Sequence, residues 1–556
     1  MDERLNFERN LLALASKNAD LCKKLSIAQT TTERYRFLES RKGELIPAAV
    51  DNTGAARPLH SLVDPEKEAA RLLDTISSNN FLILYGLGGG FLAKAALDSN
   101  KVHGLLLIDY DLDGIAELFA ARNYVSILGD PRTILLIDPT EEELEATILE
   151  AYHPALSGGI AAIPLRPRVE LLPKEFASAA NTVNNSIDSI SDDYSVQAYF
   201  GKRWFANTIR NVLGAESATV PMVPVKNIAI SAAGPSLDHQ LDLIDKKRKD
   251  FFLLATDTSL PSLLEADIVP DAVISIDCQH ISYYHFMRGL PVGIPLFTDL
   301  ASPPIVVSRT PTPRFFTGGH PLTVFVSRSW RSFPHIDTSG GNVTYAAVAL
   351  AELMGAETID LYGADFSYPK GEPYARGSYI HPYFQRRQTR TQPLESLFAA
   401  FVFRNESLSL ERDQKSWRYE TKPLSGYRQK LERLSQNLGA RIIVSPGNGA
   451  CINVPGTGKH RQRTLAMLSA GKPRTSAREF LRSYATSIEA LPRFSGSVST
   501  YISRLSEEEQ DILTTMLPAA AAIRRRENSF GPDEVLESVR SYCLHELERN
   551  LTAPRL

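Results

Sequence analysis

Two small-residue loops, more than 100 residues apart, carry the clearest chemistry in this chain. The first is Ser231-Ala-Ala-Gly-Pro-Ser-Leu237, which follows an apolar run at Asn227–Ile230. Gly234 has no side chain, so a ligand can approach the backbone there. Pro235 fixes the turn and removes one donor. Ser236 suits the cap of the next helix. The plainer reading of this loop is a capped helix start. The second loop is Asp337-Thr-Ser-Gly-Gly-Asn342, followed by Val343, Ala346, Ala347, Leu350, Leu353 and Met354 at helical spacing. Thr338, Ser339, Gly340 and Asn342 stand at a helix N-terminus, where backbone N–H groups attract phosphate or carboxylate. Two such loops in one α/β domain predict a nucleotide site.

Other groups able to do chemistry sit at the ends of predicted strands. Asp257 and Asp277 close two apolar runs, and Gly363-Ala-Asp365-Phe-Ser367 closes a third. Asp365 has the chemistry of an acid or base, or of a structural carboxylate capping a loop. His381 is a further acid–base candidate. His280 and His285 have a spacing that suits a metal, but no His-Glu-x-x-His pattern accompanies them, and no metal site is expected. An earlier turn, Gly86-Leu-Gly-Gly-Gly90, is similar to a dinucleotide or S-adenosylmethionine loop, with Asp109 near the spacing of a ribose-binding acid. Phe91 replaces the third glycine, so a purely structural turn is the expectation.

These residues need strands and helices to hold them. Phe81–Tyr85, Leu105–Ile108 and Thr133–Ile137 read as strands of a small βαβ domain. A second series follows at Asn227–Ile230, Phe251–Leu254, Ala272–Ile276, Leu322–Val326 and Thr358–Leu361, with Ile442–Val444 as a late addition. Intervening helix-length segments predict a mostly parallel sheet, whose strand ends bind ligands. Residues 1–40 read as helical. So do Thr475–Ile488, Glu507–Met516 and Pro532–Asn550. The layout is residues 1–180 as a helical segment with a small Rossmann-like domain, 181–225 as a helical connector, 226–455 as the catalytic domain and 456–556 as a helical domain.

Composition narrows the class. The chain has 556 residues, 43% hydrophobic and 22% charged, with a net charge of −3. That fits several globular domains and argues against a dedicated nucleic-acid or polybasic membrane protein. The basic runs at Lys246–Lys249, Arg386–Arg387 and Arg524–Arg526 read as solvated helix faces, with a ligand role as the lesser alternative for the middle one. The four cysteines form no CxxC pair. With no signal-peptide pattern and no long apolar run, a cytoplasmic protein without a transmembrane segment is expected.

Gly-Pro-Ser-Leu, then Thr-Ser-Gly, then an Ala-rich helix, then Ile-x-Leu-x-Gly-x-Asp-Phe resembles bacterial sialyltransferases that use CMP-sialic acid. It resembles more closely the motility-associated factor family, flagellin glycosyltransferases whose central domain is shared with 6-hydroxymethylpterin diphosphokinase-like proteins. The resemblance covers roughly residues 226–455. It implies an α/β protein. A Rossmann-like N-terminal domain precedes a central, mostly parallel-sheet, sialyltransferase-like (GT-A-like) domain, and an α-helical C-terminal domain follows. It implies transfer of a sialic-acid-like nonulosonic sugar from a CMP donor to Ser or Thr of flagellin, with no cofactor beyond the donor. Gly234, Pro235 and Ser236 would cradle the nucleotide, and Asp257 or Thr258 would contact it. Ser339 and Gly340 would hold the sugar or the cytidine. Tyr374, with Ser367 and Tyr368 at a second position, would hold the leaving phosphate. Asp365 and His381 are the acid–base candidates, although His381 lies only seven residues past Tyr374. Ala233 stands where the sialyltransferase loop has Asn. The helical tail would bind flagellin or its chaperone. Two alternatives stay open: an ATP- and Mg²⁺-dependent pterin diphosphokinase-like activity, with Asp257 and Asp277 as metal carboxylates, and a non-catalytic flagellin-assembly factor.

Overall fold

Strand-by-strand burial explains most of the architecture. The computed structural model of the chain describes residues 3–552, except 32, 51–53, 77–79, 100, 217–223, 312, 406, 413–415 and 456–470. It divides into two compact units: Met1–Lys202 with Ser487–Leu544, and Arg203–Thr486 with His545–Leu556.

The first unit holds a three-stranded antiparallel sheet of β1 (Tyr35–Glu39), β2 (Leu45–Val50) and β3 (Ala56–Pro58). It also holds four parallel strands: β4 (Asn80–Tyr85), β5 (Val102–Asp109), β6 (Thr133–Ile137) and β7 (Gly159–Pro164), in spatial order β6-β5-β4-β7. Their apolar runs are continuous because both faces are covered. Leu82, Leu84, Leu105 and Leu107 enter one buried cluster, and Phe81, Ile83, Leu106 and Ile108 enter another. The period of two along each strand sorts the side chains.

The second unit holds β8 (Asn227–Ser231), β9 (Phe252–Thr256), β10 (Ala272–Ser275), β11 (Leu296–Asp299), β12 (Arg314–Phe316), β13 (Thr358–Tyr362), β14 (Tyr368–Pro369), β15 (Leu408–Arg412), β16 (Trp417–Thr421) and β17 (Arg441–Val444). Seven of them form one sheet in the order β12-β11-β10-β9-β8-β13-β17. Every pairing in that sheet is parallel. β14, β16 and β15 form a small antiparallel sheet. The helix Val343–Leu353, apolar around most of its girth, packs across β8, β9 and β10.

Three expectations change. Leu322–Val326 is not a strand; it lies in the helix Pro321–Ser329, with Pro321 in its first turn. Its β-branched residues favour strand locally. Yet Leu322, Thr323 and Val326 are the buried ones, a helical face, and tertiary burial decides. The sheet positions go instead to β11 and β12, short runs flanked by Pro and Gly that carry little pattern. Within residues 1–40, the helices Glu3–Ala15 and Ala19–Ser26 are followed by β1 rather than more helix. Of the predicted connector, residues 181–214 lie in a 42-residue helix, Pro173–Gly214, that begins earlier than expected, and residues 217–223 are outside those described. Helices Ala477–Ala490, Glu507–Arg524 and Pro532–Thr552 overlap the three predicted near the C-terminus. The boundary expected at 455/456 runs into residues outside those described.

Candidate functional site

Chain order places a crevice in the second unit. β8 comes first, β9 to β12 extend the sheet to one side, and β13 and β17 extend it to the other. Loops leaving β8 and β13 therefore diverge, and ligands bind at such switch points. A cavity of about 220 Å³ lies there. It is lined by Ala232–Gly234 after β8, Thr256 and Thr258 at the end of β9, Asn342–Thr344 opening a helix, Gly363–Tyr368 after β13, and Tyr374. Leu424 and Tyr427 join from the helix Lys422–Ser435.

The first loop is held from within. The amide of Ala232 donates to Tyr362 O (2.8 Å) and that of Gly234 to Gly363 O (2.8 Å). The amide of Ser236 donates to Asp365 Oδ2 (2.8 Å), and the amide of Asn448 donates to Ser236 Oγ (2.9 Å). Pro235 and Ser236 consequently stand behind the cavity wall, while Gly234 lines it. A Cβ at Gly234 would lie 2.6 Å from Gly363 O and closer still to the Asp365 carboxylate. The close approach that requires glycine is thus to the Asp365 loop. Gly234→Ala is expected to destabilise the protein by about 1–3 kcal/mol through overpacking. Denaturant unfolding checks this; an unchanged midpoint would show that the loops part freely.

The second loop also differs from expectation. Ser339 donates its amide to Asp337 Oδ1 (2.9 Å), and the Tyr345 hydroxyl donates to Asp337 Oδ2 (2.7 Å). Thr338 Oγ1 donates to Gly318 O (2.7 Å), and Lys430 Nζ donates to Ser339 O (3.1 Å). Gly340 packs on the Tyr345 ring so closely that no side chain fits. Thr338, Ser339 and Gly340 are not among the residues lining the cavity; Asn342, Val343 and Thr344 are. Asn342 caps the helix by accepting the Tyr345 amide (3.0 Å). A helix's first N–H groups have no carbonyl a turn earlier. The amides of Val343, Thr344 and Ala233 make no hydrogen bond among the described residues. These three donors belong to cavity-lining residues.

Among the expected acids and phenols, Asp365, Ser367, Tyr368 and Tyr374 line the cavity. Burial pushes the Asp365 carboxyl above its ordinary value, against the Ser236 hydroxyl and amide that hold it down. Burial likewise raises Tyr368 and Tyr374, so both are neutral donors. The Tyr374 ring lies 6.3 Å from those of Tyr379 and Phe401. His381 stands outside the lining; its Nε2 is 3.4 Å from Tyr374 O. Asp257 is buried beside the cavity. It accepts from the Thr258 amide (2.7 Å), Thr258 Oγ1 (3.0 Å) and Ser275 Oγ (2.6 Å), and Thr258 rather than Asp257 reaches the lining. Asp277 accepts the Gln279 amide (2.9 Å), and its carboxyl is raised by burial and then by Asp257. His280 is exposed and His285 buried. Among the described residues, no three His, Cys, Asp or Glu side chains gather as a metal ligand set. Sequence reasoning missed Tyr427, which also packs against Gly341. It lies some 60 residues beyond the loops, with no motif around it.

The first unit contains a second switch point, between β4 and β7. Its glycine turn is filled by the chain itself. The Gly89 amide donates to His60 Nε2 (2.8 Å), and the Tyr124 hydroxyl donates to Gly88 O (2.7 Å). A Cβ at Gly88 would meet Leu165, and one at Gly86 would meet Arg168. Asp109, 0% exposed, accepts the amides of Leu87 (2.6 Å) and Tyr110 (2.8 Å) and pairs with Arg168 Nε (3.0 Å). Arg168→Ala would leave that carboxylate buried without its cation, which costs about 3–5 kcal/mol. A loss of unfolding free energy below a third of that, from denaturant titration, would contradict the assignment. Neither NAD nor S-adenosylmethionine should raise the melting temperature, and a micromolar affinity for either would overturn the self-filled turn.

Comparisons with known proteins bear on this arrangement. A family model described as 6-hydroxymethylpterin diphosphokinase MptE-like matches residues 203–371, which hold the loop after β8 and β13. Two uncharacterised proteins of Treponema pallidum (strain Nichols) are 33% and 31% identical over 161 residues each, 28% of this chain. The chain spans just over half of the first (56%) and 76% of the second. The solved structure of MAf glycosyltransferase from Magnetospirillum magneticum AMB-1 superposes with a TM-score of 0.51 at 12% identity, covering 99% of this chain and 96% of that one.

Proposed function

We propose, for a chain that belongs to one family with the second Treponema protein, carries an MptE-like domain and has a MAf-type fold, that it is a glycosyltransferase. It moves a nonulosonic, sialic-acid-like sugar from a CMP donor to Ser or Thr of flagellin, and it works in the cytoplasm. The observation that carries this reading is the switch-point cavity, where Asp365, Tyr368 and Tyr374 meet the small-residue loop after β8 and the first turn of the helix Val343–Leu353. The phosphate lies toward the amides of Ala233, Val343 and Thr344. The acceptor hydroxyl oxygen attacks the anomeric carbon while the bond from that carbon to the phosphate oxygen breaks. The bonding pair departs with CMP, and the phenols of Tyr374 and Tyr368 donate to the developing charge. The hydroxyl proton passes to the Asp365 carboxylate, which burial makes a stronger base than an exposed aspartate. His381 positions Tyr374 through its backbone. Gly234, Thr258, Asn342 and Ser367 shape the donor pocket, and Ser236 fixes Asp365.

A thermal-shift series tests donor choice. A ligand that binds only the folded state stabilises it by about 2.7 kcal/mol at 100 times its dissociation constant. CMP should raise the melting temperature more than ATP does. The MptE-like match favours a second reading, ATP-dependent diphosphate transfer. That chemistry relies on divalent metal. Stabilisation by Mg²⁺-ATP with none by CMP would favour it.

A further inference from the structure

The cavity has a carboxyl, Asp365, among its described lining residues, and no Lys, Arg or His. A nucleotide phosphate entering it brings more negative charge. Backbone N–H dipoles offset part of that, but the described wall residues offer no full cation. Arg404, directly after the helix Leu394–Phe403, has the position and the freedom to supply one. Its guanidinium lies over the Phe401 ring, 4.0 Å from the centroid, and the Phe401 ring lies 6.3 Å from Tyr374. The neighbouring Asn405 side chain donates to Val402 O (2.9 Å) and lies close enough to Tyr368 to lower its phenol pKa. The positive charge of Arg404 acts on Tyr368, Tyr374 and Tyr379 together. Arg404 is exposed and makes no ion pair or side-chain hydrogen bond among the described residues.

Four other cations of this unit are committed elsewhere. Arg428 donates to Cys451 O and pairs with Glu420, which also holds Arg418. Lys430 is bonded to Ser339 O, and Arg376 lies against Asp238. Stacking on Phe401 orders the planar guanidinium before any ligand arrives, and such a fork matches phosphate geometry.

We propose that Arg404 is the phosphate-binding cation of this cavity, closing on the phosphate of a nucleoside monophosphate sugar beside Tyr368 and Tyr374. The identity of the nucleotide rests on the glycosyltransferase reading; the role in binding phosphate does not.

Calorimetric titration of CMP, cytidine and ATP into the full chain tests this, with Arg404→Ala, Arg404→Lys and, as a surface control, Arg412→Ala. Arg404→Ala should weaken CMP about 10- to 100-fold, the size of a lost charge-assisted hydrogen bond. Cytidine affinity should not change, Arg404→Lys should fall between, and Arg412→Ala should match the unaltered protein. The salt dependence of CMP binding should also flatten in Arg404→Ala. Unchanged CMP affinity in folded Arg404→Ala would overturn the proposal while leaving the CMP-donor reading standing. Equal losses for cytidine and CMP would also overturn it, since the effect would then be structural. If the unaltered protein binds ATP and not CMP, the donor reading fails. A loss of ATP affinity in Arg404→Ala would still support the phosphate role, and no loss would end it.

Discussion

Tyr374→Phe is expected to slow sugar transfer by about 10²–10³ and to change CMP affinity little. Burial raises the phenol, so it stays protonated across the working range and acts only as a donor. Its ring is held among Tyr379 and Phe401, and a phenylalanine fills the same space. The lost contact matters most when the phosphate oxygen takes on charge, so the effect belongs in kcat rather than in binding. Steady-state kinetics with a parallel CMP titration would separate the two. Equal losses in both would make Tyr374 a ground-state binding residue.

Asp365→Asn should lower transfer by about 10²–10⁴, the range for a lost general base. The asparagine oxygen can still accept the Ser236 amide, so the loop after β8 stays closed and CMP still binds. Asp365→Ala leaves that buried amide without a partner and should lose about 1–3 kcal/mol of stability as well. The pH profile carries the sign. Burial lifts the Asp365 pKa above the ordinary carboxylate value. The basic form is present above that raised pKa, and transfer falls as pH drops through it. The acid limb should lie higher than for an exposed aspartate and should vanish in Asp365→Asn. Full transfer by the asparagine variant would leave Asp365 as a clamp only.

What the sequence made legible depended on range. β8, β9, β10 and β13 are apolar runs bounded by turns, and local pattern is enough for them. β11 and β12 span four and three residues between prolines and glycines, so their place in the sheet comes from neighbouring strands. The run Leu322–Val326 carries strand propensity but buries a helical face. In the site, Gly363–Ser367 fell where expected because a strand end in a parallel sheet is a reliable address. The Thr338–Gly340 loop is displaced because the Asp337–Tyr345 bond folds it onto its own helix, and the helix's first turn reaches the cavity instead. Tyr427 and Arg404 come from segments with no motif, and only the fold brings them near. The glycine turn at Gly86–Gly90 has the look of a cofactor loop, yet His60, Leu165 and Arg168 fill it from elements on either side. Spacing alone does not show that.

The most direct test of the central claim is the intact mass of flagellin after incubation with the purified protein and a CMP-nonulosonate in EDTA. Flagellin should gain the mass of one or more nonulosonic sugars, free CMP should appear in equal amount, and Tyr374→Phe should slow both. An unchanged flagellin mass, with the protein folded and the donor intact, would contradict the transferase reading and bring the pterin-type or assembly reading forward.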